Sequence, residues 1–517
     1  MANDSAYSQS RIIKNTLFLC LRMLITMGVA LYTSRVVLKV LGIDDYGLYN
    51  IIGGFVVLLA IVSNSMRSAT QRFITFELGR GNVRQVCDAF SMSMIAHFII
   101  GVVIIILGET VGLWYVQSKL NIPEGRETAA MYVYQFSLLS TVISLIRSPY
   151  EASVISHERM PFFAYMSIID VTLKLAIVYL LTLAPWDKLV VYAILVLLTN
   201  VIVLLCYRLY CKRVFETCDF HFVIKKDYFQ KLFSFLGWNL LGASASLGTQ
   251  QAGNLIINRF LGVAINAAYG VANQVNSAIN AFVSNFQVAF TPQIVKLYSQ
   301  NRLQEFFKLS NSSSLLSYFI LFIVSFPIIT NIDYVLSVWL VEVPEYAAIF
   351  CSLLIVYSLI DAIQAPFWIG INATGDIKTY EIWLSALLIL NIPFSYFALR
   401  WGWEPYWVLV IRVILNFITA ICRCIHVKIQ LGFPIRDYLT GVVSKVILVT
   451  ALSLGTWYLV PHDNLYHSVG GFILCYIISA SVISVYVFLF GIGHSEREIV
   501  LTFIKRFIPF GKRDSDQ

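Results

Sequence analysis

Residues 238–287 read WNLLGASASLGTQQAGNLIINRFLGVAINAAYGVANQVNSAINAFVSNFQ, two apolar segments in which amide side chains recur. The stretch is hydrophobic enough to enter a bilayer, yet lipid cannot satisfy the hydrogen-bonding groups of so many amides. The amides include Asn239, Gln250, Gln251, Asn254, Asn258, Asn273, Gln274, Asn276, Asn280, Asn285 and Gln287. We therefore predict two membrane-spanning helices that turn one face towards a polar interior.

The composition of the whole chain is typical of a protein that crosses a membrane many times. Of the 517 residues, 58% are hydrophobic and only 13% are charged, and the mean hydropathy is +0.75. A soluble chain of this length needs more surface charge. The polar, basic N-terminus lacks the pattern of a removable signal peptide, so the first span is expected to be retained.

About fourteen segments are long and apolar enough to cross a bilayer, which takes roughly 20 residues. The predicted spans are 15–37, 46–66, 89–116, 129–148, 161–183, 189–210, 234–258, 267–290, 309–332, 347–371, 381–400, 406–426, 441–460 and 468–490. An even number of spans places both termini on one side. The loops of that side hold most of the Lys and Arg residues, so both termini are predicted to be cytoplasmic. The loops of the opposite side hold Lys39, Lys119, Arg126, Lys188 and Arg259.

A weak internal repeat appears when the second half of the sequence is aligned with the first. In this alignment a similar turn follows the first span of each half. Lys39, Leu41, Gly42 and Tyr49 fall on Arg259, Leu261, Gly262 and Tyr269. We predict an all-α integral membrane protein with two pseudo-symmetric six-helix bundles around a central cavity and two further C-terminal helices. The predicted units are an N-terminal lobe over 1–210, a cytoplasmic loop over 211–233, a C-terminal lobe over 234–426, two added spans over 427–490 and a cytoplasmic amphipathic tail over 491–517.

Charged side chains inside spans are costly, so each is a functional candidate, with a helix–helix contact as the alternative. Arg22 and Arg35 lie in the first span, and Arg67 lies at the end of the second. We expect Arg22 and Arg67 to line a cavity that holds an anion. Arg35 is near the outer end of its span, where its long side chain could instead reach the membrane surface.

Two further sets of charges are candidates for ion or proton coupling. Asp170 and Lys174 are one helical turn apart in the fifth span, so they form either a neutral pair or an ion-linked site. Asp361 and Arg412 belong to the second bundle and could pair across it.

The amides of the opening stretch form two stripes at helical spacing, and a ligand-binding wall is the function we expect of them. Long stripes favour a water-accessible wall over simple contacts between helices. Neutral amides together with scattered arginines suit anionic, hydroxyl-rich ligands such as sugar phosphates. The stripes consist of Gln250, Asn254 and Asn258 in the seventh span and of Asn273, Asn276, Asn280 and Gln287 in the eighth.

The chain lacks the motifs of several enzyme classes. It has no GxxxxGK[ST], no GxGxxG after a strand and no HExxH, so neither ATP hydrolysis nor zinc chemistry has a recognisable site. We predict no catalytic residue, cofactor, metal or nucleic-acid partner. Transport would draw on an ion gradient, with H+ or Na+ as the candidate coupling ion, or on the substrate gradient itself.

The N-terminal part of the chain resembles a known family. The segment NTLFLCLRMLITMGVALYTSRVVLKVLGIDDYGLYNIIGG over 15–54, followed by SATQRF and FELGRGN, resembles the start of polysaccharide flippases of the Wzx type. These belong to the MOP (multidrug/oligosaccharidyl-lipid/polysaccharide) superfamily, which includes the MATE-like transporters. The resemblance implies two lobes that alternately open a central cavity to either side of the bacterial plasma (inner) membrane.

The resemblance also implies a cargo and a binding site. The implied cargo is an undecaprenyl-pyrophosphate-linked oligosaccharide, moved from the cytoplasmic to the periplasmic leaflet. Arginines of the first two spans commonly line the cavity in this family, a role that falls here on Arg22, Arg35 and Arg67. The second lobe departs from a strongly cationic pattern, because amides replace most of its charges.

Two other functions are compatible with the sequence. A MATE-like exporter of drugs or other small molecules would have twelve spans and an acidic cation site, which the fourteen predicted spans and the excess of buried arginine disfavour. A membrane glycosyltransferase would use Asp44 and Asp45 as metal ligands, but their loop is only a few residues long, so we interpret them as turn formers. The sequence leaves the sugar and the oligomeric state open, and a monomer is compatible with it.

Overall fold

The computed structural model describes residues 42–118, 125–183, 185–340, 342–459 and 469–493, together with Ile122, Arg497 and twelve residues between 22 and 41. Every regular element in these ranges is helical, which confirms the predicted all-α class. Helix α1 comprises the described residues between 22 and 41. Arg35 and most of the predicted tail over 491–517 lie outside the described residues.

The remaining helices are numbered in chain order. The first half contains α2 (Ile43–Arg80), α3 (Val83–Ser118, with a wider π turn at Gly108–Gly112), α4 (Glu127–Ser156), α5 (Met160–Leu183) and α6 (Lys188–Val214). The helix Lys226–Ser299 is broken at Gly262 into α7 over 226–261 and α8 over 263–299. Then follow α9 (Leu303–Thr330), a short helix Ile332–Trp339, α10 (Ala347–Thr374), α11 (Lys378–Arg400), α12 (Trp407–Leu431), α13 (Ile435–Leu459) and α14 (Val469–Tyr486, extended by a π turn to Gly491).

Ten of these helices are long and apolar enough to cross a membrane, by length and composition. They are α3 to α6 and α9 to α14 in the described part of the chain. Helices α1, α2, α7 and α8 cover the other four predicted spans, but the total of fourteen and the cytoplasmic termini stay predictions.

The exposed and buried faces of α3 are those of a helix in lipid. Phe98 and Ile106 are 64% and 56% exposed, whereas Ser91, Ser93 and His97 are fully buried. Polar groups point into the bundle because lipid offers them no hydrogen bonds. With the ten apolar helices, this arrangement indicates a multi-pass membrane protein.

The backbone supports the predicted repeat between the two halves. Gly42 (φ 84°, ψ 171°) and Gly262 (φ 81°, ψ −174°) have the same conformation, which side-chain-bearing residues rarely adopt. Gly81 and Asn301, which the same alignment pairs, both follow the end of a helix with positive φ (72° and 58°). The same turn and the same helix end therefore recur in the two halves.

At one end of the bundle the two halves contact each other directly. Lys296 Nζ donates a hydrogen bond to Glu158 Oε1 at 2.7 Å, and Gln300 Nε2 donates one to the carbonyl of Gly79 at 3.1 Å. Arg72 Nη2 donates to the carbonyl of Ala373, also at 3.1 Å. These contacts join α2 and the α4–α5 turn to the ends of α8 and α10, and we call this region the sealed end.

The segment between the halves is shorter than the predicted loop over 211–233. Helix α6 continues to Val214 and α7 begins at Lys226, because charged helix ends extend beyond the apolar spans. The connecting residues are held against α3. His221 Nε2 lies 2.7 Å from Asp88 Oδ1, and Lys225 Nζ donates to Asp88 Oδ2 at 2.5 Å.

Candidate functional site

Five charged side chains line a cavity of about 420 Å³ in the first half. Helices α1, α2, α4, α5 and α6 form most of its wall, and α8 closes one side. The charged and polar residues of the lining are Arg22, Thr26, Arg67, Gln71, Arg147, Glu151, Ser167, Asp170, Tyr207 and Ser284. We call this space the arginine cavity, because three guanidinium groups reach it. Arg22 and Arg67 thus lie together, as the sequence predicts for an anion-binding wall.

Glu151 joins two of the three arginines. Its Oε1 lies 2.7 Å from Arg147 Nε, and its Oε2 lies 3.4 Å from Arg67 Nη1. The Glu151 side chain is 11% exposed, so both ion pairs are shielded from solvent and each guanidinium is held in place. Arg67 Nη2 also donates to Asn64 Oδ1 at 3.1 Å, which leaves its side chain 39% exposed towards the cavity.

Arg22 reaches the cavity from α1. Its Nη1 donates to Ser167 Oγ at 3.0 Å, and its guanidinium carbon lies 4.7 Å from the centre of the Phe163 ring. Both partners belong to α5. The aromatic face and the hydroxyl position the guanidinium group.

The carboxylates of the arginine cavity do not cancel its positive charge. Lys174 Nζ donates to Asp170 Oδ2 at 2.8 Å, so the predicted pair one turn apart exists and Asp170 is neutralised locally. Glu151 offsets one of the two arginines that it contacts. The lining therefore keeps an excess of positive charge, which favours an anion.

A second cavity of about 220 Å³ lies between α7, α10, α11 and α12, and we call it the C-terminal cavity. Asp361 and Arg412 both line it, but they do not pair as the sequence suggested. Asp361 Oδ1 instead lies 3.5 Å from Arg423 Nη1. Arg412 places its guanidinium carbon 4.7 Å from the centre of the Tyr357 ring. The charged partner of Asp361 is thus three helical turns further along α12 than Arg412.

The two cavities occupy corresponding places in the two halves. Under the alignment that pairs Gly42 with Gly262, Arg22 and Thr26 fall on Gly242 and Ser246, and all four line a cavity. The first helix of each half therefore contributes residues at equivalent positions to the lining of its cavity. The chemistry differs, because an arginine of the first half is replaced by a glycine in the second.

The predicted amide stripes lie outside the lining of both cavities, as far as the described residues define it. Asn276 is 5% exposed and accepts a hydrogen bond from Ser358 Oγ at 2.8 Å. Gln250 Nε2 donates to Asn273 Oδ1 at 3.3 Å. These three amides contact neighbouring helices or each other.

The other four predicted amides show different degrees of exposure. Asn258 and Asn280 are exposed, whereas Asn254 and Gln287 are half-buried. Helix α8 faces the arginine cavity with Ser284 and Val288, which flank Gln287. Helix α8 thus lies next to the arginines, as part of the predicted wall, but Ser284 and Val288 rather than the amides face the cavity.

Sequence reasoning missed Glu151 and Arg423. The predicted fourth span stops at 148, so Glu151 was assigned to a loop, although its spacing of four residues from Arg147 predicts an ion pair on a helix. Arg423 is eleven residues beyond Arg412, which places both on one face of α12. Extending the fourth predicted span by one turn would have included Glu151, and applying helical spacing to the twelfth span would have placed Arg423 on the same face as Arg412.

The comparisons with known proteins agree with this architecture. The sequence profile described as polysaccharide biosynthesis protein matches residues 12–298, more than half of the chain. No curated protein matches the sequence significantly.

Several solved structures share the fold. An outward-facing multidrug resistance MATE family transporter of the MOP superfamily is similar with a TM-score of 0.71 at 14% identity, over 82% of this chain and 98% of that one. A MATE structure in the bent conformation gives 0.70 at 13% identity, over 83% and 97%. A MOP superfamily transporter from Pyrococcus furiosus, described as having a binding pocket of reverse polarity, gives 0.67 at 14% identity, over 82% and 98%.

At such low identity the structural likeness concerns the fold, whereas the sequence profile identifies the family. Both agree with the resemblance seen in the N-terminal part of the sequence. The chain therefore belongs to the polysaccharide biosynthesis protein family and is a multi-pass membrane protein with the fold of the MATE/MOP superfamily transporters.

Proposed function

We propose that the protein is a flippase for undecaprenyl-pyrophosphate-linked oligosaccharide in the bacterial plasma membrane. It moves this lipid-linked sugar from the cytoplasmic to the periplasmic leaflet during the synthesis of cell-surface polysaccharide. The observation that carries the proposal is the convergence of Arg22, Arg67 and Arg147 on one membrane-embedded cavity. Membership of the polysaccharide biosynthesis family supports it.

The arginine cavity suits a pyrophosphate group. Guanidinium groups present pairs of N–H donors that match phosphate oxygens, and these charge-assisted bonds strengthen in a site shielded from water. Arg67 and Arg22 contact the pyrophosphate directly in this proposal. Arg35 is the third arginine of the proposed pyrophosphate site, as the resemblance implies, although it lies outside the described residues.

The sugars occupy the space beside the arginines. We place seven amides along the path of the sugars: Gln250, Asn254, Asn258, Asn273, Asn276, Asn280 and Gln287. During transport these amides give up their contacts with neighbouring helices and form hydrogen bonds with the sugar hydroxyl groups. The exposed Asn258 and Asn280 carry most of this role. The prenyl chain remains in the surrounding lipid.

Transport proceeds by alternating access between two arrangements of the halves. In this proposal the sealed end faces the cytoplasm, since the Lys/Arg bias of the loops places Lys296 and Arg302 on that side. Opening it requires the contacts of Glu158, Gly79 and Ala373 with the other half to break. Coupling to H+ or Na+ involves either the ion pair of Asp170 with Lys174 or the residues Asp361 and Arg412 of the C-terminal cavity, which do not pair with each other.

A complementation experiment tests the assignment. A strain that lacks the gene should retain lipid-linked oligosaccharide in the cytoplasmic leaflet, and an unchanged distribution would contradict the proposal. In that strain we expect Arg22→Ala and Arg67→Ala to lower flipping by about tenfold or more, since each removes a charge-assisted contact worth roughly 1.5–3 kcal/mol. Arg22→Lys and Arg67→Lys should retain part of the activity.

Arg80→Ala is the matched control, because Arg80 ends the same helix as Arg67 but its side chain is 53% exposed and contacts Glu77. It should flip at the wild-type rate. If Arg67→Ala and Arg80→Ala behave alike, the arginine cavity does not hold the pyrophosphate.

A MATE-like small-molecule exporter is the second candidate. The observation in its favour is that Glu151 and Asp170 line the same cavity as the arginines and could hold a lipophilic cation. Accumulation of tetraphenylphosphonium in cells with and without the protein separates the two functions. Export that Glu151→Gln abolishes would favour the exporter, whereas equal accumulation would support the flippase.

A further inference from the structure

The C-terminal cavity contains two arginines whose surroundings differ. Arg423 is 8% exposed, and three groups contact its side chain. Its Nε donates to the Tyr380 hydroxyl at 2.9 Å and its Nη1 to Gln364 Oε1 at 3.0 Å, while Asp361 lies 3.5 Å away. Arg423 is thus neutralised and hydrogen-bonded within the protein.

Arg412 is not neutralised in this way. It makes no ion pair with any carboxylate that the structure describes, and its guanidinium lies on the face of Tyr357. Its Nη1 is buried without a well-formed hydrogen bond there, and the Tyr357 hydroxyl is the polar side-chain group that interacts with the guanidinium. A buried guanidinium nitrogen without a well-formed hydrogen bond is costly, so a ligand that accepts its hydrogen bond is favoured.

The space next to Arg412 suits a small ligand with further hydrogen-bond acceptors. The cavity volume of about 220 Å³ corresponds to about seven waters at roughly 30 Å³ each, or to one monosaccharide unit. Ser246 and Asn391 also line it and can donate a hydroxyl and an amide N–H. With Arg423 offset by Asp361, the lining carries one uncompensated positive charge.

We propose that the C-terminal cavity is a binding site for a monovalent anion, a halide or a carboxylate, held by Arg412 with help from Asn391 and Ser246. The site is separate from the arginine cavity and does not depend on the proposed cargo. The anion comes either from solution or from an acidic sugar. Both sources present one negative charge to the same guanidinium.

Glu381 determines how tightly the anion binds. Its side chain is buried at 6% exposure against Gly242, where an added Cβ would collide with Glu381 Oε2. Gly242 belongs to the cavity wall, so the Glu381 carboxyl lies directly behind that wall and opposes the anion when it is ionised. Removing its charge with Glu381→Gln should tighten anion binding by several-fold.

Line broadening of ³⁵Cl NMR on the purified full-length protein in nanodiscs measures chloride binding directly. We expect excess broadening in the wild type and at least a tenfold loss of it in Arg412→Gln, with partial retention in Arg412→Lys. Arg436→Gln is the matched control, because Arg436 is exposed and lines neither cavity. In Arg22→Ala and in Arg67→Ala, the part of the signal that Arg412→Gln removes should remain, which separates this site from the arginine cavity and the proposed flippase function.

A second arm identifies the source of the anion. Glucuronate and neutral glucose are titrated by calorimetry, and glucuronate is also added to the chloride-bound protein. Binding of chloride alone assigns a free halide, whereas tighter binding of glucuronate than of chloride assigns a sugar carboxylate. The proposal is overturned if neither anion binds, if Arg412→Gln binds like the wild type, or if Glu381→Gln weakens binding.

Discussion

Glu151 gives the arginine cavity a resident carboxylate that any incoming anion must displace. It contacts Arg147 and Arg67 at 2.7 and 3.4 Å, so both guanidinium groups are held ready but partly neutralised. A transporter must release what it binds, and an internal competitor weakens the bound state. If the proposed flippase function holds, we expect Glu151 to serve turnover rather than affinity.

Replacing Glu151 by Gln tests this interpretation. Gln fills the same space without the charge, so Arg67 and Arg147 become available to the ligand. Binding of inorganic pyrophosphate should tighten by about tenfold, because the negative charge of Glu151 no longer competes with the ligand for these arginines. Calorimetry on the purified protein measures the affinity. Flipping in proteoliposomes should become slower, because release is impeded.

Glu77→Gln is the control for this prediction, since Glu77 lies on α2 at 4.0 Å from Arg80 and outside the cavity. It should bind pyrophosphate like the wild type. Weaker binding by Glu151→Gln would mean that Glu151 only supports the arginines.

The sequence identifies which polar residues lie in the membrane but not which neighbours they meet. Arg22 and Arg67 were predicted to share a cavity because buried charge requires compensation wherever it occurs. The amides were predicted to line a cavity as well, yet Asn276 contacts Ser358 on α10. Helical periodicity fixes a face of one helix, whereas the partner of that face depends on packing between helices distant in sequence.

At the level of helices, the break at Gly262 separates α7 from α8. Its φ of 81° and ψ of −174° are accessible to glycine alone at low cost, and an added Cβ would meet nothing within 4 Å. Strain at this position therefore comes from the backbone and not from neighbouring atoms.

Gly262→Ala should lower the free energy of unfolding by about 1–3 kcal/mol through this backbone strain. Gly270→Ala is the matched control, because Gly270 lies within α8, also has open space around it and has no positive φ. It should be neutral or stabilising by about 0.5–1 kcal/mol. Thermal unfolding in one detergent compares the two variants, and equal losses would contradict the assigned turn.

The turn between α4 and α5 carries a half-buried histidine next to the sealed end. His157 stacks on Phe215 with ring centres 4.1 Å apart, and its Nδ1 lies 2.8 Å from the carbonyl of Ser153. Burial, helped by the positive charges of Lys296 and Arg159, lowers the pKa of His157 below its ordinary value of 6.5. The folded protein thus favours the neutral imidazole.

Acidification should therefore destabilise this turn. The unfolded chain binds a proton at a higher pH than the folded one, so the contribution of His157 is present above pH 6.5 and is lost as the pH falls below it. His157→Gln should show a smaller decrease of Tm between about pH 7.5 and 5.5 than the wild type. An unchanged decrease would assign the effect to other groups.

For the whole molecule, the sealed end is the place where the proposed transport cycle would have to open. The Lys296–Glu158 ion pair and the Gln300–Gly79 hydrogen bond connect the two halves directly. Alternating access requires these contacts to open and close in every cycle. Locking them should stop transport without affecting the binding site.

A disulfide provides such a lock. In a variant without the nine native cysteines, Glu158→Cys with Lys296→Cys should cross-link under oxidation and stop flipping, and a reductant should restore it. Glu158→Cys alone is the control and should be insensitive to oxidant. Continued flipping by the cross-linked protein would show that the sealed end does not open.

The overall architecture was largely predictable, because lipid imposes simple rules. Apolar segments such as α3 and α6 must be helices, and their length follows from bilayer thickness. The matching conformation at Gly42 and Gly262 also followed from the sequence repeat. The partner of Asp361 did not, since the rotation of α12 that brings Arg423 rather than Arg412 to it depends on packing across the bundle.

The matching turns at Gly42 and Gly262 have an evolutionary consequence. Two halves that share one architecture can diverge separately while each retains its backbone. The first half has Arg22 in its first helix, and the second has Gly242 in the same place. Mutations that change the ligand of one half therefore need not disturb the other, so new cargo specificities can arise in a single step.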